Sequence, residues 1–227
     1  MKMPDVIYID EFRRIDGSYE PIDIFLVIKS VDQMERRKRL LDQFKSGTIG
    51  RIKPRPISEG LLVKCQLSSG GDGTITADNA EYVRTFPEPR HIVAYESNRF
   101  LLTEIGRVDL LDEEGRVLDV MLHPYFAFLH TLALDSSQER LLIASSGYDA
   151  LLELDLKTKK EVWRWFGWDH GFNPNEEGVY FTTTKEEAEE LEEKGYSSRH
   201  IDPEEYNEQG LLTAARTTHP NGAIYNV

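Results

Sequence analysis

The stretch RFLLTEIGRVDLLDEEGRVLDV, residues 99–120, returns in altered form as RLLIASSGYDALLELDLKTKKEVWRW, residues 140–165. The copies start 41 residues apart, and each follows a segment that opens on histidine, His91 and His130, which lie 39 apart. Each unit divides into four short apolar segments: HIVAY, RFLLTE, RVDLLD and RVLDVM in the first, HTLAL, RLLIAS, ALLELD and EVWRWF in the second. Polar turns such as ESN, DEEG, DSSQE and LKTKK separate them at matching offsets. A period near 40 built from four strands predicts a β-propeller blade. A blade is covered on both faces by its neighbours, which accounts for runs such as RLLIAS that are continuously apolar rather than alternating.

Working outward, GTITADN and EYVRTF before the first unit read as two strands of a partial blade, and GAIYNV at the end reads as the first strand of a further one. The expected fold is all-β dominated: an incomplete propeller of two to three four-stranded blades with a small α/β N-terminal cap and a helical insertion. Residues 1–70 form the cap, 71–166 the blades, 167–218 a lid-like insertion, and 219–227 the start of an incomplete blade. In the cap, VIYIDEF and IDIFLVIK have strand composition. VDQMERRKRLLDQFKSG reads as a helix with Val31, Met34, Leu40, Leu41 and Phe44 near one face and Gly47 as its C-cap. Its RRKR run reads as a solvated face, with a phosphate or acidic partner as the functional alternative. In the insertion, Thr184 and Glu187 form a capping box ahead of an acidic helix that ends at Gly195.

Propellers close with four blades or more. Two blades and a fragment leave open edges, which predicts a partner: a second polypeptide, a missing C-terminal half, or another copy of the chain. The net charge of −13, from 40 acidic and 27 basic residues, argues against nucleic acid and anionic membranes as partners. The lone Cys65 and an N-terminus without a long apolar core point to the cytoplasm.

Chemistry concentrates in the histidines at the start of successive inner strands, His91, His130 and His219, and in GWDHGFNPNEEG and AARTTHPNGA at the ends of the insertion. Imidazoles converging from three blades would suit a divalent metal, an arrangement that resembles the carotenoid-cleaving oxygenases in architecture only. In WD-repeat propellers such a histidine instead bonds within its own blade, and Asp109 or Asp149 would be the acceptor here; the Gly-His and Trp-Asp dipeptides of those repeats are absent. His123 and His200 lie outside the series and read as turn or surface residues. Trp163 and Trp165 share one strand face and read as core packing.

The segment ASSGYDALLELDLKTKKEVWRWF, the insertion, and then TTHPNGAIYN resemble the arylsulfotransferase-like propellers over residues 90–227. That resemblance implies His219 as nucleophile, Asn221 and Arg216 as stabilisers of the transferring anion, and His170 or His130 as acid or base. A ligand site at the channel mouth would add His91, Asp169 and Trp168. The leading expectation is a propeller that binds or transforms a small organic ligand, with cofactor unknown and no metal assigned. The alternative is a non-catalytic scaffold whose propeller face and acidic helix dock another protein.

Overall fold

The computed structural model describes residues 20–51, 56–69, 75–206 and 209–225. VIYIDEF and the SSGGDG turn lie mostly or wholly outside these residues. The two repeat units are two four-stranded antiparallel sheets in simple sequential order. Blade 1 holds the strands His91–Tyr95, Arg99–Thr103, Val108–Asp112 and Val117–Met121. Blade 2 holds Leu129–Leu134, Arg140–Ser145, Ala150–Asp155 and Glu161–Phe166. In chain order these are β4 to β7 and β8 to β11. They follow a three-stranded antiparallel sheet of β1 (Ile22–Ile28), β2 (Glu59–Ser69) and β3 (Ile75–Pro87). The architecture is all-β dominated and propeller-like, with the sheets forming an open stack among the described residues.

The stacking follows from alternation along single strands. In β5, Leu102 turns towards the N-terminal sheet and packs with Leu62, Phe86 and Leu111, while its neighbour Leu101 turns the other way into a core shared with blade 2. Successive strand residues point to opposite faces. A sheet covered on both sides therefore needs apolar residues at both parities, and each fully buried leucine contributes roughly 1.5–3 kcal/mol. Across the first interface Phe25 meets Phe100 edge-on at 4.7 Å.

Two expectations are corrected. ITADN, the described part of GTITADN, and EYVRTF are one strand, β3, because β2 offers a continuous partner over its whole length, with two register irregularities. Residues 219–225 form no strand; without a ladder partner their backbone stays irregular. The segment is held instead by side chains, including Tyr225, whose hydroxyl donates to Glu153 Oε1 at 3.0 Å.

Between β1 and β2 sits α1 (Gln33–Ser46), capped by Asp32, which accepts from the Glu35 N–H, and by Gly47 at φ 67°. Its orientation inverts the expected one. Met34 is 78% exposed and Phe44 73%, and Leu41 is exposed as well, whereas Arg36, Arg39 and Gln43 are the more covered side.

The insertion is a βαβ unit. Strands β12 (Val179–Thr182) and β13 (Ser197–His200) pair in parallel through α2 (Lys185–Glu193), whose N-cap Thr184 accepts from Glu187 N. Phe181, Ile201 and Leu211 seat it in the blade 2 core. The chain then returns over the β9–β10 turn, where Leu211 N donates to Gly147 O at 2.7 Å and Gly147 N to Ala127 O at 2.8 Å. A Cβ on Gly147 would collide with the Ala127 side chain, so only glycine permits this approach.

Candidate functional site

The return segment delivers Arg216 and His219 beside the start of blade 2. One carboxylate holds it there. Asp149, fully buried at the β9–β10 turn, accepts from His219 N at 2.7 Å, from Thr217 Oγ1 at 3.1 Å, and from Thr217 N. A carboxylate bound by several N–H and O–H donors is among the stronger polar anchors available to a fold.

From blade 1 comes Arg90, just before β4, and from blade 2 come Phe128 and His130, at the start of β8. The guanidiniums of Arg90 and Arg216 both lie over the Phe128 ring, each 4.9 Å from its centroid. Glu88 anchors Arg90 at 3.2 Å and accepts from Ser58 N at 3.1 Å. Arg216 donates through Nε and Nη2 to Leu211 O at 3.3 and 3.0 Å. Arg90 Nη1 meets His130 Nε2 at 2.8 Å, and Arg216 Nη1 meets His219 Nδ1 at 2.9 Å. The two imidazoles stand edge to face, 5.9 Å between centroids. Phe128 and His219 both hold left-handed backbone, φ 48° and 54°. Such conformations cost about 1–3 kcal/mol in non-glycine residues and collect at functional sites.

The hydrogen bonds assign the tautomers. A guanidinium only donates, so His130 Nε2 and His219 Nδ1 are acceptors, and the ring protons sit on His130 Nδ1 and His219 Nε2. Burial, followed by the positive charges of Arg90 and Lys29, pushes the His130 pKa down to about 3. Burial and Arg216 lower that of His219, against a smaller opposing pull from Asp149. Both rings are neutral N–H donors at pH 7.

These groups line a cleft of about 260 Å³. Lys29, at the end of β1, and Arg36, Arg39 and Gln43, on the covered side of α1, complete it with Ser58 and the apolar Leu40 and Pro56. Five cationic side chains thus converge in a chain whose net charge is −13.

Of the expected site residues, His130, His219 and Arg216 come together. The others do not line this cleft. His91 Nδ1 accepts from Leu132 N at 3.2 Å, a bond between the two blades. His170 is tied through Nδ1 to Phe166 O at 3.0 Å and lies against Trp165. Asp169 and Asn221 are exposed. Trp168 is 3% exposed, stacked on Phe166 at 4.7 Å, so no ligand can stack on it. The expectation for Trp163 reverses as well: it is 44% exposed on β11, which has no neighbour beyond it among the described residues. Among those residues no three His, Cys, Asp or Glu gather as a metal site, so the three-histidine metal arrangement is not formed. The helix beside the cleft is α1, not the acidic α2.

Sequence reasoning missed Arg90, Phe128, Glu88 and Lys29. A usable signal was present for two of them: Arg90 immediately precedes His91, and Phe128 stands two residues before His130, at the start of the corresponding strand of the next unit.

No family model matches this chain, and no curated protein matches it. Solved structures match over part of it. The WD40 domain of Neurospora crassa Pan2 is 16% identical over 46% of this chain and 34% of that chain, with a TM-score of 0.31. A protein of unknown function from Bacteroides caccae is 15% identical over 48% and 43%, with a TM-score of 0.35. A nidogen/laminin complex is 14% identical over 49% and 44%, with a TM-score of 0.34. The chain spans between a third and under half of the length of these structures.

Proposed function

We propose that this propeller-type protein binds a small organic anion in the cleft between α1 and the Arg216–His219 segment. The observation that carries the reading is the convergence of Arg90, Arg216 and Lys29 on two imidazoles that are locked as neutral donors. A cationic pocket whose two imidazoles are each held by an arginine partner suits an oxyanion, because little reorganisation is needed on binding. Both arginines are nearly buried, so their charge is poorly screened.

Group transfer of the sulfotransferase kind is the finer alternative, and the tautomers weigh against it. A nucleophilic His219 needs a free lone pair, but its Nδ1 pair accepts from Arg216 and its Nε2 carries the proton. His130, with a pKa of about 3, holds no second proton to give a leaving group at neutral pH. Binding asks none of this of them. The buried lone Cys65 fits a reducing compartment, where such a protein needs no disulfide.

The test is a titration of the full chain with inorganic phosphate at low ionic strength, followed through the imidazole resonances. The expected result is a saturable shift of His130 and His219 while His123 and His200 stay in place. Absence of movement at both site histidines would remove the anion reading.

A further inference from the structure

We propose that the ligand carries two phosphate-type groups, one held at the base of the cleft by Lys29, Arg90, Arg216, His130 and His219, the other at its rim by Arg36 and Arg39. This rests on the anion reading above and makes it more specific.

Three observations carry it. The first is the inverted helix. A helix packed on a protein body normally turns its apolar stripe inward, yet α1 turns Arg36, Arg39 and Gln43, spaced three and four apart, towards the cleft and leaves Met34, Leu41 and Phe44 in solvent. Exposing that apolar area is unfavourable, and the arrangement is consistent with a polar requirement on the inner side. The second is that rim and base are tied to each other through the helix exit. Gly50 O, in the turn after α1, accepts from Ala214 N at 3.1 Å, and Arg51 pairs with Glu177 at 2.8 Å. The helix exit is thus bonded two residues from Arg216, and a fixed spacing between two cationic clusters selects for a fixed spacing between two anions. The third is the lining. Both guanidiniums already lie over the Phe128 ring, and the other apolar residues of the cleft are Leu40 and Pro56. A cleft of about 260 Å³, below the roughly 300–1,000 Å³ of most small-molecule pockets, fits a compact bisphosphate better than a ligand with a stacked base.

The experiment is calorimetric titration of the full chain with acetate, orthophosphate and pyrophosphate, repeated with Arg36→Gln/Arg39→Gln. These two residues lie on an exposed helix whose caps the changes leave intact, and circular dichroism checks the fold. Pyrophosphate should bind roughly tenfold to a hundredfold tighter than orthophosphate in the wild type, as expected for one or two extra charge-assisted contacts. The double variant should lose most of that advantage and leave orthophosphate affinity within about threefold. Equal affinity for the two in the wild type, or a variant that loses both alike, overturns the two-group inference and leaves the anion site standing. If neither phosphate binds, or acetate binds as well as pyrophosphate, the inference falls; in the first of these cases the anion reading falls with it.

Discussion

Blades 1 and 2 share a strand plan but close the turn between their second and third strands differently. In blade 1 the turn is closed by its own ions: Arg107 donates to Glu104 at 2.7 Å and to Asp109 at 3.2 Å, with Glu104 and Asp109 nearly or fully buried. In blade 2 the position of Arg107, just before the third strand, is taken by Asp149, which reaches out of the blade to hold Thr217 and His219. A turn that satisfies itself is finished and carries no site. One that presents a buried acceptor must recruit another segment, and here the recruited segment brings the site with it.

The largest test of this contrast removes the recruiting group. Asp149→Ala strands the Thr217 and His219 N–H groups and should cost about 3–5 kcal/mol in chemical denaturation. It should also abolish the phosphate-induced shift at His219; a variant that keeps both would show that the return segment is placed by Leu211 and its neighbours alone.

A smaller effect is expected from the self-closed turn. Burial, then the hydrogen bond and charge of Asp109, raise the Glu104 pKa to about 7. Its folded value lies above its unfolded one of 4.5, so the native state holds the extra proton between about pH 4.5 and 7. Stability from this group is full below that window and is lost as pH rises through it. Glu104→Gln should remove the dependence and make the variant relatively more stable at pH 8 than at pH 5, measured against wild type. His130 works the other way: its folded value of about 3 lies below the ordinary 6.5, so its contribution is lost as pH falls between them. The smallest effect belongs to the outer strand, where Trp163→Ser should change stability by about 1 kcal/mol or less because the indole is nearly half exposed on a face no further strand covers among the described residues.

The blades were legible in the sequence because their cause is local. Each of the eight expected strands in the two units appears within a residue or two, since period-two side-chain placement and polar turns decide them. The caps Thr184 and Gly47 were legible for the same reason. The site was half legible. Arg216, His130 and His219 stood out as chemistry-bearing residues, and Asp149 as a plausible acceptor. Lys29, Glu88 and Arg90 did not, and the RRKR run that holds Arg36 and Arg39 carried a phosphate site only as its alternative reading; the packing of α1 and the return segment brings these together. The facing of α1 misled for a physical reason: its apolar spacing predicts the inward side only if hydrophobic burial decides, and here the basic side faces the protein. Trp163 failed alike, because WRW marks a strand face without saying whether another sheet covers it.

That uneven covering has an optical consequence. Trp168 is buried and stacked on a phenylalanine, Trp165 lies beside the His170 imidazole, and Trp163 is nearly half exposed to solvent. The chain therefore carries three emitters in three surroundings, with blue-shifted light from the core, imidazole-quenched light at the insertion's root, and red-shifted light from the outer strand. Loosening of the insertion, loosening of the blade, and contact at the outer edge would each alter a different part of one emission spectrum.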